Sequence, residues 1–104
     1  MIKSLYINLE PKIRIKDNTG KLLEEYSIEG LNNFQSVIKA LEIAVKYSRN
    51  KVYVFTSDKK LVNRILGRLK LKSKKEIKGL LEIKLFETFF QTVRYFVVNK
   101  KRLN

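Results

Sequence analysis

The sequence predicts an α/β fold in which helices pack on a mixed sheet, with elements in the order βββαβααβ. Three observations carry this. The early segments alternate apolar and polar residues with a period of two and fold back at a turn, as hairpin strands do. The later segments repeat apolar residues at helical spacing. Between them lies one short continuous apolar run, Val52-Tyr53-Val54-Phe55, of the kind found in a buried parallel strand. A hairpin-bearing start followed by helix, strand, helices and strand implies a mixed sheet.

Taken in order, Leu5, Ile7 and Leu9 alternate with Tyr6 and Asn8 in a first strand. Ile13 and Ile15 alternate with Lys12, Arg14 and Lys16 in a second. Asp17-Asn18-Thr19-Gly20 is a turn, and residues 21–28 return as a third strand. Asn32 with Gln35 three residues on is a capping box for a helix whose apolar stripe is Phe34, Val37, Ile38, Leu41, Ala44 and Val45. After the central strand, Ser57 or Asp58 caps a second helix, with Leu61, Val62, Ile65, Leu66 and Leu69 facing inward. Ser73 and Glu76 have capping-box spacing for a third helix, with Ile77, Leu80, Leu81, Leu85 and Phe89 on its inner side. Residues 92–98 are rich in strand formers, and residues 99–104 are a basic tail.

The 104 residues fit one domain, expected over residues 1–98, with residues 99–104 as the tail. Cysteine, histidine and tryptophan are absent, and Met1 is the sole methionine. This excludes disulfides, thiolate chemistry, imidazole bases and Cys/His metal sites. Lys/Glu richness with few thermolabile residues is a thermophile pattern. No apolar run can span a bilayer and the N-terminus lacks a signal-peptide pattern, so a cytoplasmic chain with no membrane partner is expected.

Net charge is +13, more than solubility requires, and an anionic partner explains it best. The excess is one-sided. Residues 1–58 carry nine Lys/Arg and seven Asp/Glu; residues 59–104 carry fourteen and three. The second half therefore holds the expected nucleic-acid-binding residues: Lys59, Lys60, Arg64, Arg68, Lys70, Lys72, Lys74, Lys75, Lys78, Lys100, Lys101 and Arg102. Lys60, Arg64 and Arg68 recur every four residues, so one helix face would follow a phosphate backbone. The late aromatics Phe86, Phe89, Phe90, Tyr95 and Phe96 are explained by core packing or a protein-partner patch more simply than by base stacking.

Residues 15–27, the helix segment Ala40-Leu41-Glu42-Ile43-Ala44, and Val52-Tyr53-Val54-Phe55-Thr56-Ser57-Asp58 fall in the order and spacing of one known family. The chain resembles the ribonuclease H family from about Leu5 to Val98. The resemblance implies a ribonuclease H-like mixed sheet. It also implies a site in which four carboxylates hold two metal ions that clamp the attacking and leaving oxygens of a cleaved RNA strand. By the same resemblance the first carboxylate falls at Asn8, the second near Asn33 and the third at Asp58, with the fourth in a helix beyond Asn104. One ligand of four does not hold two cations, and Asp58 also suits a helix cap. Glu10 could substitute, but Pro11 beside it suggests a strand end facing solvent. The segment joining the first two strands is shorter than the family's glycine-rich turn. The resemblance also places the basic connector, residues 70–75, where the family grips substrate backbone.

These readings give a non-catalytic nucleic-acid-binding protein without cofactor or metal. The expected setting is a ribosome or another ribonucleoprotein, with RNA (ribosomal RNA included) in preference to DNA, and neighbouring proteins of the same complex as further partners. The alternatives are a DNA-binding accessory factor of a replication or viral nucleoprotein complex, and a residual ribonuclease H-type nuclease. Phosphate contacts carry no sugar or base identity, so sequence alone does not separate them.

Overall fold

A computed structural model describes residues 2–102. The elements are β1 (Ser4–Asn8), β2 (Ile13–Asp17), β3 (Leu22–Tyr26), α1 (Asn33–Ala44), β4 (Lys51–Thr56), α2 (Lys59–Ile65), α3 (Lys74–Glu87) and β5 (Thr92–Val97), followed by a 3-10 turn at Lys100–Arg102. They form one mixed sheet in the order β3-β2-β1-β4-β5. The hairpin strands run antiparallel, while β1, β4 and β5 are mutually parallel. The βββαβααβ order and the mixed sheet are those expected. Of the basic tail, Leu103 and Asn104 lie outside the described residues.

Local chemistry explains the ends of these elements. The β2–β3 turn closes on Asp17, whose Oδ1 accepts from the Thr19 and Lys21 amides at 2.8 and 3.1 Å. Gly20 there takes a φ of 88°, a conformation that disfavours other residues. At α1, Asn32 accepts from the Gln35 amide at 2.8 Å, and the Gln35 side chain accepts from the Asn32 amide at 2.9 Å. Asp58 caps α2 through the Leu61 amide at 3.0 Å, and Ser73 caps α3 through the Glu76 amide at 3.2 Å.

The core lies between the sheet and the helices. Leu5, Ile7, Ile13, Ile15, Val52 and Val54 are fully buried against Val37, Ala40, Leu41 and Ala44 of α1. Both parallel crossovers, β1–α1–β4 and β4–α2–α3–β5, step the same way across the sheet, so their right-handedness puts the helices on one face. The expected two-sided burial of β4 is therefore half realised. Val52 and Val54 are buried, whereas Tyr53 and Phe55 point to the uncovered face and are half-buried.

Two helix faces differ from expectation. The second helix ends at Ile65, because Gly67 at φ 78° turns the chain and the Arg68 and Gly67 amides bond back to the Asn63 and Arg64 carbonyls. Leu66 and Leu69 thus lie past the helix and are exposed. In α3 the expected inner residues Ile77, Leu81 and Leu85 are 47, 65 and 59% exposed. Ile83 is buried instead, with Leu80 and Phe86 packed against the core. Gly79 sets this rotation: a Cβ there would sit 3.1 Å from the Phe34 Cβ, so α3 approaches α1 along its glycine face. Among the described residues no helix is long and apolar enough to cross a membrane.

Candidate functional site

Parallel strands deliver their carboxyl ends to one rim of the sheet, where α/β folds place ligands. Here β1 and β4 end side by side, Asn8 level with Phe55, and the chain continues into Leu9-Glu10 and Ser57-Asp58. Glu10 turns inward rather than to solvent. Its Oε1 accepts from Thr56 Oγ1 at 2.9 Å, the Ser57 amide at 2.9 Å and Ser57 Oγ at 2.7 Å. Its Oε2 is buried and has no hydrogen-bond partner. Beside it, Asp58 Oδ2 accepts from Asn33 Nδ2 at 2.5 Å, while Oδ1 holds the α2 cap. The helix start at Asn33 is thereby tied to the end of β4. Asn8 does not join them; alternation along β1 puts it on the face of Tyr6.

Glu10, Asn33, Ser57, Asp58 and Lys100 line one cavity at this rim. A second cavity lies between the start of α1 and α3, lined by Asn32, Asn33, Arg64, Lys75, Lys78 and Glu82 among others. Asn33 and Leu61 border both. Lys100 lines the first together with Glu10 and Asp58, and Arg64, Lys75 and Lys78 line the second together with Glu76 and Glu82.

The remaining expected cations line neither cavity. Lys59 and Lys60 are exposed on the first turn of α2. Arg68, Lys70 and Lys72 are exposed on the connector, and Lys74 opens α3. Lys101 and Arg102 are exposed in the 3-10 turn. The three-cation stripe is corrected in two ways. Arg68 lies beyond the end of α2, and Arg64 is half-buried with its Nε 3.7 Å from Glu76. No ion pair within hydrogen-bonding range links the other second-half cations of the expected set to a carboxylate among the described residues. Sequence reasoning placed Asp58 and Asn33 but turned Glu10 outward. The missing signal was strand register: the Leu9 amide bonds the Phe55 carbonyl at 3.1 Å, which brings Glu10 level with Thr56 and Ser57.

No protein-family model and no curated protein matches the chain. Solved structures do. RNase H1 from the halophilic archaeon Halobacterium salinarum superimposes with a TM-score of 0.82 at 9% identity, covering 96% of this chain and 89% of that one. The N-terminal RNase H domain of a Mycobacterium tuberculosis protein, solved as a maltose-binding-protein fusion, gives 0.79 at 17% identity over 96% and 90%. An RNase H1 isolated from compost gives 0.80 at 14% identity over 98% and 89%. The same compost enzyme in complex with an RNA/DNA hybrid gives 0.75 at 14% identity over 95% and 86%.

The chain has the ribonuclease H-like fold.

That finding corrects the expectation of a chain that is no enzyme. The structures sharing this ribonuclease H-like fold are ribonuclease H domains, which are nucleases, and neutral residues at Asn8 and Asn33 do not by themselves establish inactivity. The donor set does bear on which ions the rim fits. Two carboxylates line its cavity, and three of their four oxygens are already engaged by Thr56, Ser57, Leu61 and Asn33. Among the described residues no group of three or more Asp or Glu side chains is placed to hold a metal. The rim therefore does not fit a pair of divalent cations held by four carboxylates.

Proposed function

We propose that this ribonuclease H-like chain binds the sugar–phosphate backbone of RNA, paired with DNA in a hybrid duplex, over the surface from Lys100 past Asn33 to Lys75 and Lys78. One observation carries the reading: among the described residues no carboxylate pairs with Lys70, Lys72, Lys74, Lys75, Lys78 or Lys100, and the last three line the two neighbouring cavities that share Asn33. Lysines without ion-pair partners take a phosphate chain, and releasing condensed counterions supplies much of the affinity. That one fold neighbour is described in complex with an RNA/DNA hybrid supports the choice of duplex. Small size and a one-signed charge suit a component that stays on RNA, as in a ribosome or another ribonucleoprotein.

The test is binding of the intact protein to a hybrid, a duplex RNA and a duplex DNA of one sequence. The Lys75→Gln, Lys78→Gln double variant should weaken hybrid binding, roughly equally on every sequence, because these are backbone contacts. Tightest binding to duplex DNA, or an unaffected double variant, refutes the reading. A hydrolytic reading has its own observation: Glu10 Oε2 is buried and unpartnered beside Asp58. Cleavage of the RNA strand that is lost in both Glu10→Gln and Asp58→Asn supports it. Cleavage that survives both substitutions assigns the activity elsewhere.

A further inference from the structure

The sheet face turned away from the helices carries four aromatic side chains in one patch. Tyr6 on β1, Tyr53 and Phe55 on β4 and Phe96 on β5 form a closed ring of contacts, with centroids 5.3 Å (Tyr6–Tyr53), 6.1 Å (Tyr53–Phe96), 5.2 Å (Phe96–Phe55) and 6.3 Å (Phe55–Tyr6) apart. Tyr6 and Phe96 are each 39% exposed. The strand registers place cations on both flanks. One row across the sheet reads Lys16, Tyr6, Tyr53, Arg94; the next reads Arg14, Asn8, Phe55, Phe96. Arg14 is paired with Glu25 at 3.3 Å, whereas neither Lys16 nor Arg94 is ion-paired among the described residues.

We propose that this face docks an amphipathic helix of a partner protein, with its apolar stripe on the aromatic quartet and carboxylates on both its flanks. Three features select that occupant. The patch spans three strands, about 10 Å, which is the width of one helix. Adjacent rings lie nearly parallel, 15–28° apart in three of the four pairs, so they stack on one another and spend their faces internally. Faces engaged on one another leave fewer for a base to stack on, while apolar side chains need no ring face. The flanking charges are positive on both sides, which selects acidic residues beside the apolar stripe and repels a second copy of a chain carrying +13. This site lies on the opposite face of the sheet from the helices and does not depend on the nucleic-acid reading.

The experiment uses the full chain and three probes. The first is a synthetic amphipathic peptide of about 18 residues, long enough to hold a helix, with leucines on one stripe and glutamates on both flanks. The second has the same leucines with lysines on the flanks. The third is single-stranded oligouridine RNA. Hydrogen exchange of β1, β4 and β5 and tyrosine fluorescence report occupancy, and sedimentation reports the oligomeric state. The glutamate-flanked peptide should protect the face and the lysine-flanked one should not. The Lys16→Glu, Arg94→Glu variant, altered only at surface charges, should lose roughly tenfold in affinity and turn its preference to the lysine-flanked peptide. A glutamate-flanked peptide that leaves the face unprotected overturns the proposal, as does a charge reversal without effect. Protection by the RNA alone makes the face a base platform, and dimerisation through it makes the occupant a second copy; either result also overturns the proposal.

Discussion

The two halves of the chain use their cations differently. Before residue 59, Lys12 and Arg14 meet Glu25, Lys39 meets Glu42 and Lys46 meets Glu24, all within 2.7–3.5 Å. After it, fourteen Lys/Arg face three acids, and only Arg64 and Lys84 are ion-paired among the described residues. The first half also closes its polar groups upon itself: Asp17 on its own turn, Glu10 on the end of β4, Tyr47 on Glu24 at 2.6 Å. The lesson is that charge count alone does not mark a binding face. Paired cations are part of the fold, and unpaired ones on a connector are available to a ligand. Substitutions of the paired first-half cations should therefore leave nucleic-acid affinity unmoved, and those of the unpaired connector cations should move it.

The largest stability effect should come from Glu10→Ala. It leaves the Ser57 amide and two hydroxyls without their acceptor, at a cost of about 1–3 kcal/mol, readable by urea unfolding. An unchanged midpoint breaks the view of Glu10 as a structural clamp. Asp58→Ala removes the α2 cap and the tie to Asn33 and should cost roughly 0.5–2 kcal/mol, seen as a lower Tm. If Tm holds while binding is lost, Asp58 belongs to the ligand rather than to the fold. Gly67→Ala forces a side chain into positive φ and should cost about 1 kcal/mol. It should also weaken hybrid binding by displacing the connector, so the two readouts together sharpen the division.

The smallest effect is one of pH. The side-chain hydrogen bond from Thr19 holds the Asp17 carboxyl below its ordinary 3.8, and the Lys12 contact does the same for Glu25 below 4.5. A lowered folded-state pKa adds stability above the unfolded value and loses it as pH falls through the folded one. Stability should therefore decline as pH drops below the ordinary values of these two groups. Asp17→Asn should shallow that decline; a decline of unchanged steepness assigns the acid sensitivity elsewhere.

What could be read from the sequence was local. The strand alternation, the Asn32–Gln35 box and the caps at Asp58 and Ser73 depend on residues within four positions of one another. Gly67 was an equally local stop signal, but the four-residue recurrence of Lys60, Arg64 and Arg68 ran across it. The face of α3 was out of reach, because its rotation is fixed by Gly79 meeting Phe34 from a distant helix. The rim cavity was out of reach for a similar reason: Glu10, Asn33 and Asp58 line it only once β1 and β4 are paired in register. The basic connector was visible as composition, and the structure supplies the pairing that separates it from Lys12, Lys39 and Lys46.

The dependence of hybrid affinity on salt tests the central claim most directly. If about six phosphates are neutralised, the intact protein should lose on the order of a thousandfold between ~50 and ~200 mM salt. Replacing Lys70, Lys72, Lys74 and Lys75 by glutamine should reduce the log–log slope by about four, roughly one per contact. Replacing Lys12, Lys39 and Lys46, each already ion-paired, should leave the slope as it was. Equal flattening per residue in the two variants would contradict the account, since the charge would then act as a diffuse cloud rather than through a binding face in the second half.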